Sequence, residues 1–223
     1  MFSTIYQSPW QHPGLAFLLG GLGILLFAFR RPWDAQPARR TWALLFALLQ
    51  AEVLLDATLT GALTPLPSGS RGATAAAILF VILGDLRYFY LLERQRIDSG
   101  LRRFRAFLFA ALLALVIPLG TGLGRALAPT FLDGNRLFLT YESAFLFLAF
   151  CHFVLRGRDS ATRDYTRRLF AFEMTQYALW AAADVLILCG WDAAWALRIV
   201  PNALYYAGFA PFAILTAPQE ARA

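Results

Sequence analysis

The chain has 223 residues, 59% of them apolar and only 15% charged, with 20 arginines, no lysine and 14 acids, for a net charge of +6. Apolar runs in every quarter of that length exclude a water-soluble domain and point to an integral membrane protein. In a soluble protein this basic balance would suggest nucleic acid. Here the arginines sit in short loops between apolar runs, where they set orientation, and no nucleic-acid partner is expected.

Residues 1–13 are uncharged and include Pro9, Trp10, His12 and Pro13. The first basic residues follow the first apolar run instead of preceding it, which predicts a retained span with its N-terminus outside and not a cleaved signal peptide. That span, 14–29, contains Gly14, Gly20, Gly21 and Gly23, small enough for close helix approach. A loop with Arg30, Arg31, Arg39 and Arg40 is expected on the cytoplasmic side. The second span, 41–62, carries Glu52 and Asp56, whose i, i+4 spacing puts both carboxylates on one face. Pro65, Pro67, Gly69 and Gly72 then supply turn chemistry for an outer linker with a single arginine, Arg71.

The third span, 73–93, is an apolar run interrupted by Gly84-Asp85-Leu86-Arg87-Tyr88. An acid or a base at the centre of a spanning helix costs about 2.5–3.5 kcal/mol, so both side chains need other helices around them. Positions 85 and 87 point roughly 200° apart while Asp85, Tyr88 and Phe89 share a face, so Asp85 and Arg87 are not expected to pair with each other. The pattern predicts a central helix with neighbours on two sides. Its inner loop holds Arg94, Arg96, Arg102, Arg103 and Arg105.

The fourth span, 104–127, has almost no polar side chain but contains Pro118 and Gly120, Gly122 and Gly124, which predict a kink or a loosened outer end. The fifth, 137–155, carries Tyr141, Glu142, Ser143 and, near its inner end, His152. It is followed by Arg156, Arg158, Arg163, Arg167 and Arg168. The sixth, 169–190, carries Glu173, Gln176, Tyr177 and Asp184. A tight outer turn at Trp191 and Asp192 leads to the seventh, 193–216, with Arg198, Pro201, Asn202, Tyr205, Tyr206 and Pro211.

The three inner loops hold four, five and five arginines, whereas the outer side holds Arg71, Arg125 and Arg136. The expected fold is therefore an all-α seven-transmembrane helix bundle, one domain over 1–223, with its N-terminus outside and its C-terminus cytoplasmic. The expected location is the cytoplasmic (inner) membrane of a bacterium. Seven spans with this orientation resemble the microbial rhodopsin architecture in topology, but a retinal Schiff base needs a lysine amine and this chain has none. The 3+1+3 plan is similar to that of the PQ-loop family, although the only Pro-Gln is Pro218-Gln219 in the tail and no internal repeat is visible. Cys151 and Cys189 fall near opposite ends of their spans, so buried packing is expected and not a disulfide or a metal pair.

Six carboxylates lie well inside the predicted spans, away from their ends: Glu52, Asp56, Asp85, Glu142, Glu173 and Asp184. They are too costly to face lipid and should face a shared interior. Helix rise sorts them into an outer layer of Asp56, Glu142 and Asp184 with Arg198, a middle with Glu52 and Asn202, and a cytoplasmic half with Asp85, Arg87, Glu173 and His152. In the outer layer three acids face one base, so at least one carboxylate is expected to keep a proton or hold a cation. Arg198 offers a guanidinium fork suited to a carboxylate of the protein or of a ligand. Pro201 frees the carbonyl of Leu197 close to Asn202 and Tyr205, and broken helices at this depth recur in transport sites.

Gly84-Asp85, Ala183-Asp184-Val185-Leu186 and Tyr205-Tyr206 faintly resemble short stretches of the lysoplasmalogenase-like membrane hydrolases, without the histidine expected after Gly-Asp. No residue is carried across. The sequence shows no Gly-rich phosphate loop, Cys cluster or His pair, so no metal or cofactor is expected. The reading that emerges is a small transporter, channel or ligand-binding membrane protein for a small solute, ion or proton. Glu52, Asp56, Asp85, Arg87, Glu142, Glu173, Asp184, Arg198, Asn202 and Tyr205 would supply binding or a proton relay. The alternatives are an intramembrane enzyme acting on lipid by carboxylate acid–base chemistry and a non-catalytic sensor or assembly subunit.

Overall fold

A computed structural model describes residues 1–9, 17–18, 20–22, 37–94, 100–156 and 163–217. The first expected span, 14–29, lies outside these residues except for 17–18 and 20–22, which are helical, and much of the three arginine loops lies outside them too. Among the described residues the regular structure is entirely helical: α1 (Phe2–Tyr6), α2 (Pro37–Thr60), α3 (Arg71–Arg94), α4 (Gly100–Leu127), α5 (Asn135–Arg156), α6 (Arg163–Leu188) and α7 (Ala194–Ala203). A π-helical segment, Leu204–Gly208, then leads into α8 (Phe209–Leu215). Four helical segments are long and apolar enough to cross a membrane: Ala43–Thr60, Arg71–Arg94, Phe104–Leu127 and Asn135–Arg156.

The helices overrun the apolar segments that announce them, because hydropathy marks the part suited to lipid while backbone hydrogen bonding continues into the polar flanks. Helix α2 starts at Pro37, where a missing N–H costs nothing. Helix α3 starts at Arg71 because the Ser70 hydroxyl accepts the Ala73 N–H at 3.1 Å. Helix α6 starts at Arg163, six residues before the apolar run, with Asp164 complementing the positive end of its dipole. It stops in a Schellman motif: Trp191 N–H reaches Leu186 O at 3.0 Å and Gly190 N–H reaches Ile187 O at 2.9 Å. Gly190 takes φ +88°, open to glycine without strain. The kink or loosening expected in the fourth span is not a break, since α4 continues through Pro118 to Leu127. Thr121 Oγ1 donates there to the Ile117 carbonyl at 2.8 Å. The consequence of Pro201 is displaced instead: α7 passes through it and widens to π geometry from Leu204 to Gly208.

The chain forms two compact units, Met1–Ala77 with Asn202–Ala223, and Ile78–Pro201. In the first, α2 packs on α8, and Val53 and Ala57 form a buried pair with Tyr206 against them. A Cβ at Gly20 would meet Leu54 Cδ2 at 3.0 Å, so glycine there permits close approach to α2.

The second unit contains α3 from Ile78 onward, α4, α5, α6 and α7 as far as Pro201. Three pairs show that α5 and α6 run antiparallel. Glu142 and Asp184 share Arg198, Phe145 stacks on Tyr177 at 3.8 Å, and Phe153 stacks on Phe170 at 4.1 Å. Asp85 meets Tyr141 and Glu93 meets His152, so α3 runs parallel to α5. Helix α3 is buried over most of its circumference from Gly84 to Glu93, which requires neighbours on more than one side.

The amphipathicity of this unit is inverted relative to a water-soluble protein. Helix α4 buries Ala106, Ala110, Ala114 and Ile117 and exposes Phe104, Leu108, Leu112, Leu119 and Leu123. Helix α5 buries Glu142 and His152 and exposes Phe138, Phe147 and Phe150. Helix α6 buries Glu173, Gln176 and Asp184 and exposes Val185 and Leu188. Small side chains inside allow close backbones, and large apolar ones outside suit lipid. Polar groups turned inward on α6 also explain why its mean hydropathy is low for a helix of that length.

Candidate functional site

The second unit gathers its buried polar side chains at three successive levels. At the first, Arg198 from α7 reaches two carboxylates: Nη1 pairs with Asp184 Oδ1, and Nη2 lies 3.5 Å from Glu142 Oε1. Asn135 Nδ2 donates to Asp184 Oδ1 at 2.9 Å, and the guanidinium lies 5.0 Å from the Phe138 ring centroid. Asp184 is fully buried and Glu142 nearly so, while Glu142 Oε2 and Asp184 Oδ2 carry no hydrogen bond.

At the second level both oxygens of Asp85 accept hydroxyl protons. Tyr141 donates to Oδ2 and Tyr177 donates to Oδ1, the latter at 2.6 Å. Tyr141 and Glu142 are consecutive on α5, so one helix turn serves both levels. The layers placed apart by helix rise therefore adjoin here. Arg87 lies within electrostatic reach of Asp85 and Glu173, and Glu173 within reach of Tyr88. Glu173 and Tyr177 are i, i+4 on α6, and Asp184 continues the same stripe. Gln176 flanks that stripe, fully buried, with neither side-chain polar atom hydrogen-bonded.

At the third level Glu93 Oε1 lies 2.7 Å from His152 Nε2 and 3.3 Å from Arg156 Nε. The imidazole edge meets the Phe89 ring at a centroid distance of 5.4 Å, and Arg156 covers Phe109 at 4.5 Å. Phe89 and Phe145, both fully buried and 5.6 Å apart, lie between this level and Asp85. From Asp184 to Tyr177 is about 10 Å along α6 and from Asp85 to Glu93 about 12 Å along α3. Together they cover some two thirds of the ~30 Å hydrocarbon core.

The first unit has its own polar group. Asp56 is buried, accepts Thr60 Oγ1 at 2.6 Å and the Tyr206 hydroxyl, and Glu52 lies within electrostatic reach of that hydroxyl. Tyr205 sits edge-on to Tyr206 at 4.8 Å, and Asn202 Nδ2 donates to the Tyr6 hydroxyl at 3.2 Å.

Asp85, Arg87, Glu142, Glu173, Asp184 and Arg198 thus belong to one unit, and Glu52, Asp56, Asn202 and Tyr205 to the other. Glu93, Tyr141, Tyr177 and Asn135 stand outside the residues expected from the sequence to bind or relay. Glu93 falls at the inner edge of the third span, beside the arginines of the following loop. The tyrosines carried a usable signal, since Tyr177 lies on the Glu173 and Asp184 face and Tyr141 adjoins Glu142. Among the described residues no three His, Cys, Asp or Glu side chains gather as metal ligands would, and Cys151 and Cys189 are both free. No protein-family model, curated protein or solved structure matches the chain.

Proposed function

We propose that this is a seven-span membrane protein, N-terminus outside and C-terminus in the cytoplasm of a bacterium, whose inward polar ladder passes an ion, a proton or a small solute. The observation that carries the reading is three buried polar levels over about 22 Å of helix, on helices whose lipid-type residues face outward. Five buried acids, Asp85, Glu93, Glu142, Glu173 and Asp184, outnumber the two buried guanidiniums of Arg87 and Arg198. Carboxylates in such excess at membrane depth exchange protons or cations to stay neutral, which couples occupancy to protonation. Purified protein in proteoliposomes should carry pH-dependent flux that Asp184→Asn and Asp85→Asn abolish. Equal flux in both variants and the parent sinks the proposal.

A second reading, an intramembrane enzyme acting on lipid, is favoured by one arrangement. A carboxylate orients the buried imidazole of His152 through Nε2, and its Nδ1 carries no hydrogen bond. That is the geometry of an oriented general base. Lipid turnover by purified protein that disappears in His152→Gln would favour this reading over transport.

A further inference from the structure

Three buried side chains of the second unit, Tyr88, Glu173 and Gln176, carry polar atoms without a hydrogen-bond partner. Tyr88 is fully buried and its hydroxyl has no hydrogen-bond partner. Glu173 lies within electrostatic reach of that hydroxyl and is buried, with Oε2 unpartnered. On the same side of α6, Gln176 is buried with Oε1 and Nε2 both unpartnered. A buried polar group left unmet is costly, so the arrangement favours a partner that meets these groups together.

Glu173 Oε2, Gln176 Oε1 and the Tyr88 hydroxyl oxygen can each accept a hydrogen bond, and a primary ammonium presents three N–H donors. The balance of groups agrees, because two acids, Asp85 and Glu173, lie within electrostatic reach of the Arg87 guanidinium, so acids outnumber bases there among the described residues. The surroundings are aromatic. Tyr88 lies 5.9 Å from Phe145, Phe145 stacks on Tyr177, and Tyr177 meets Trp180 edge-on at 5.2 Å. Ring faces attract a desolvated cation and accept an apolar substituent.

We propose that Tyr88, Glu173 and Gln176 form a binding site for a primary ammonium bearing an apolar group. The inference rests on the reading of the ladder as a solute path and names the class of solute. The test measures equilibrium binding to the purified full chain in detergent, using benzylammonium and benzyltrimethylammonium, which share ring and charge but differ in N–H donors. Benzylammonium is expected to bind saturably and at least about tenfold more tightly. Tyr88→Phe should weaken benzylammonium about five- to tenfold, the worth of one hydrogen bond, and leave the trimethyl probe unchanged. Glu173→Gln should abolish binding of both. Because the Tyr88 hydroxyl makes no hydrogen bond of its own, Tyr88→Phe keeps the fold even if Glu173→Gln does not.

Absence of saturable binding, equal affinity for both probes, or a Tyr88→Phe effect on both or on neither overturns the site. Flux without ammonium binding overturns this inference alone, whereas ammonium binding without flux overturns the transport reading alone.

Discussion

Arg198→Gln is the sharpest test of the first polar level. The guanidinium is flanked by Asp184 and Glu142, and the three side chains are at least nine-tenths buried. At 3.5 Å and an effective dielectric near 20, attraction to Glu142 alone is about 5 kcal/mol gross, offset by desolvation of both ions. Removing the arginine leaves two buried acids facing each other, with Asn135 donating to Asp184. The expected loss is about 3–5 kcal/mol of stability. Asp184→Asn in the same background removes one of the stranded charges. The double variant should therefore be less damaged than the sum of the singles, by a coupling of about 2 kcal/mol, well above the ~0.3–0.5 kcal/mol scatter of independent sites. Thermal unfolding of purified protein, at one detergent and protein concentration, measures all four corners of the cycle. Additive singles, or a loss below ~1 kcal/mol for Arg198→Gln, would refute the buried-triad account.

Tyr177→Phe removes a 2.6 Å donor from Asp85 and should cost about 1.5–3 kcal/mol, with Tyr141→Phe similar and the pair non-additive; the same unfolding assay reads this. Ala110→Leu, on the fully buried small-residue face of α4, should cost about 1–3 kcal/mol by overpacking, while Leu119→Ala on the exposed face stays within ~0.5 kcal/mol. Phe145→Ala, which removes a fully buried ring stacked on Tyr177, should cost about 3–5 kcal/mol and loosen the aromatic partition between Asp85 and Glu93. Orientation is tested by Cys189, which is exposed just past the C-terminal end of α6: if that end lies outside, a membrane-impermeant maleimide should label it in intact Cys151→Ser cells. Labelling only after the cytoplasm is opened reverses the topology.

The sequence alone was enough to specify helices and their character. Twenty-residue apolar runs leave the backbone no hydrogen-bonding choice in lipid except helix, and four such helices stand in the structure. It also singled out the costly side chains, because an acid such as Asp85 or Asp184 in an apolar run is conspicuous whatever surrounds it. The partner of each acid was a different matter. One dimension gives the rotation and rise of a side chain on its own helix, but not the register between helices. Helix register brings Tyr141 and Tyr177 to the two oxygens of Asp85, gives Asp184 and Glu142 the same arginine, and makes Glu93, at the edge of its span, the buried partner of His152. Those meetings depend on how stacked rings such as Phe145 with Tyr177 and Phe153 with Phe170 lock α5 against α6. Packing of that kind is a property of surfaces in contact, which tertiary structure alone decides.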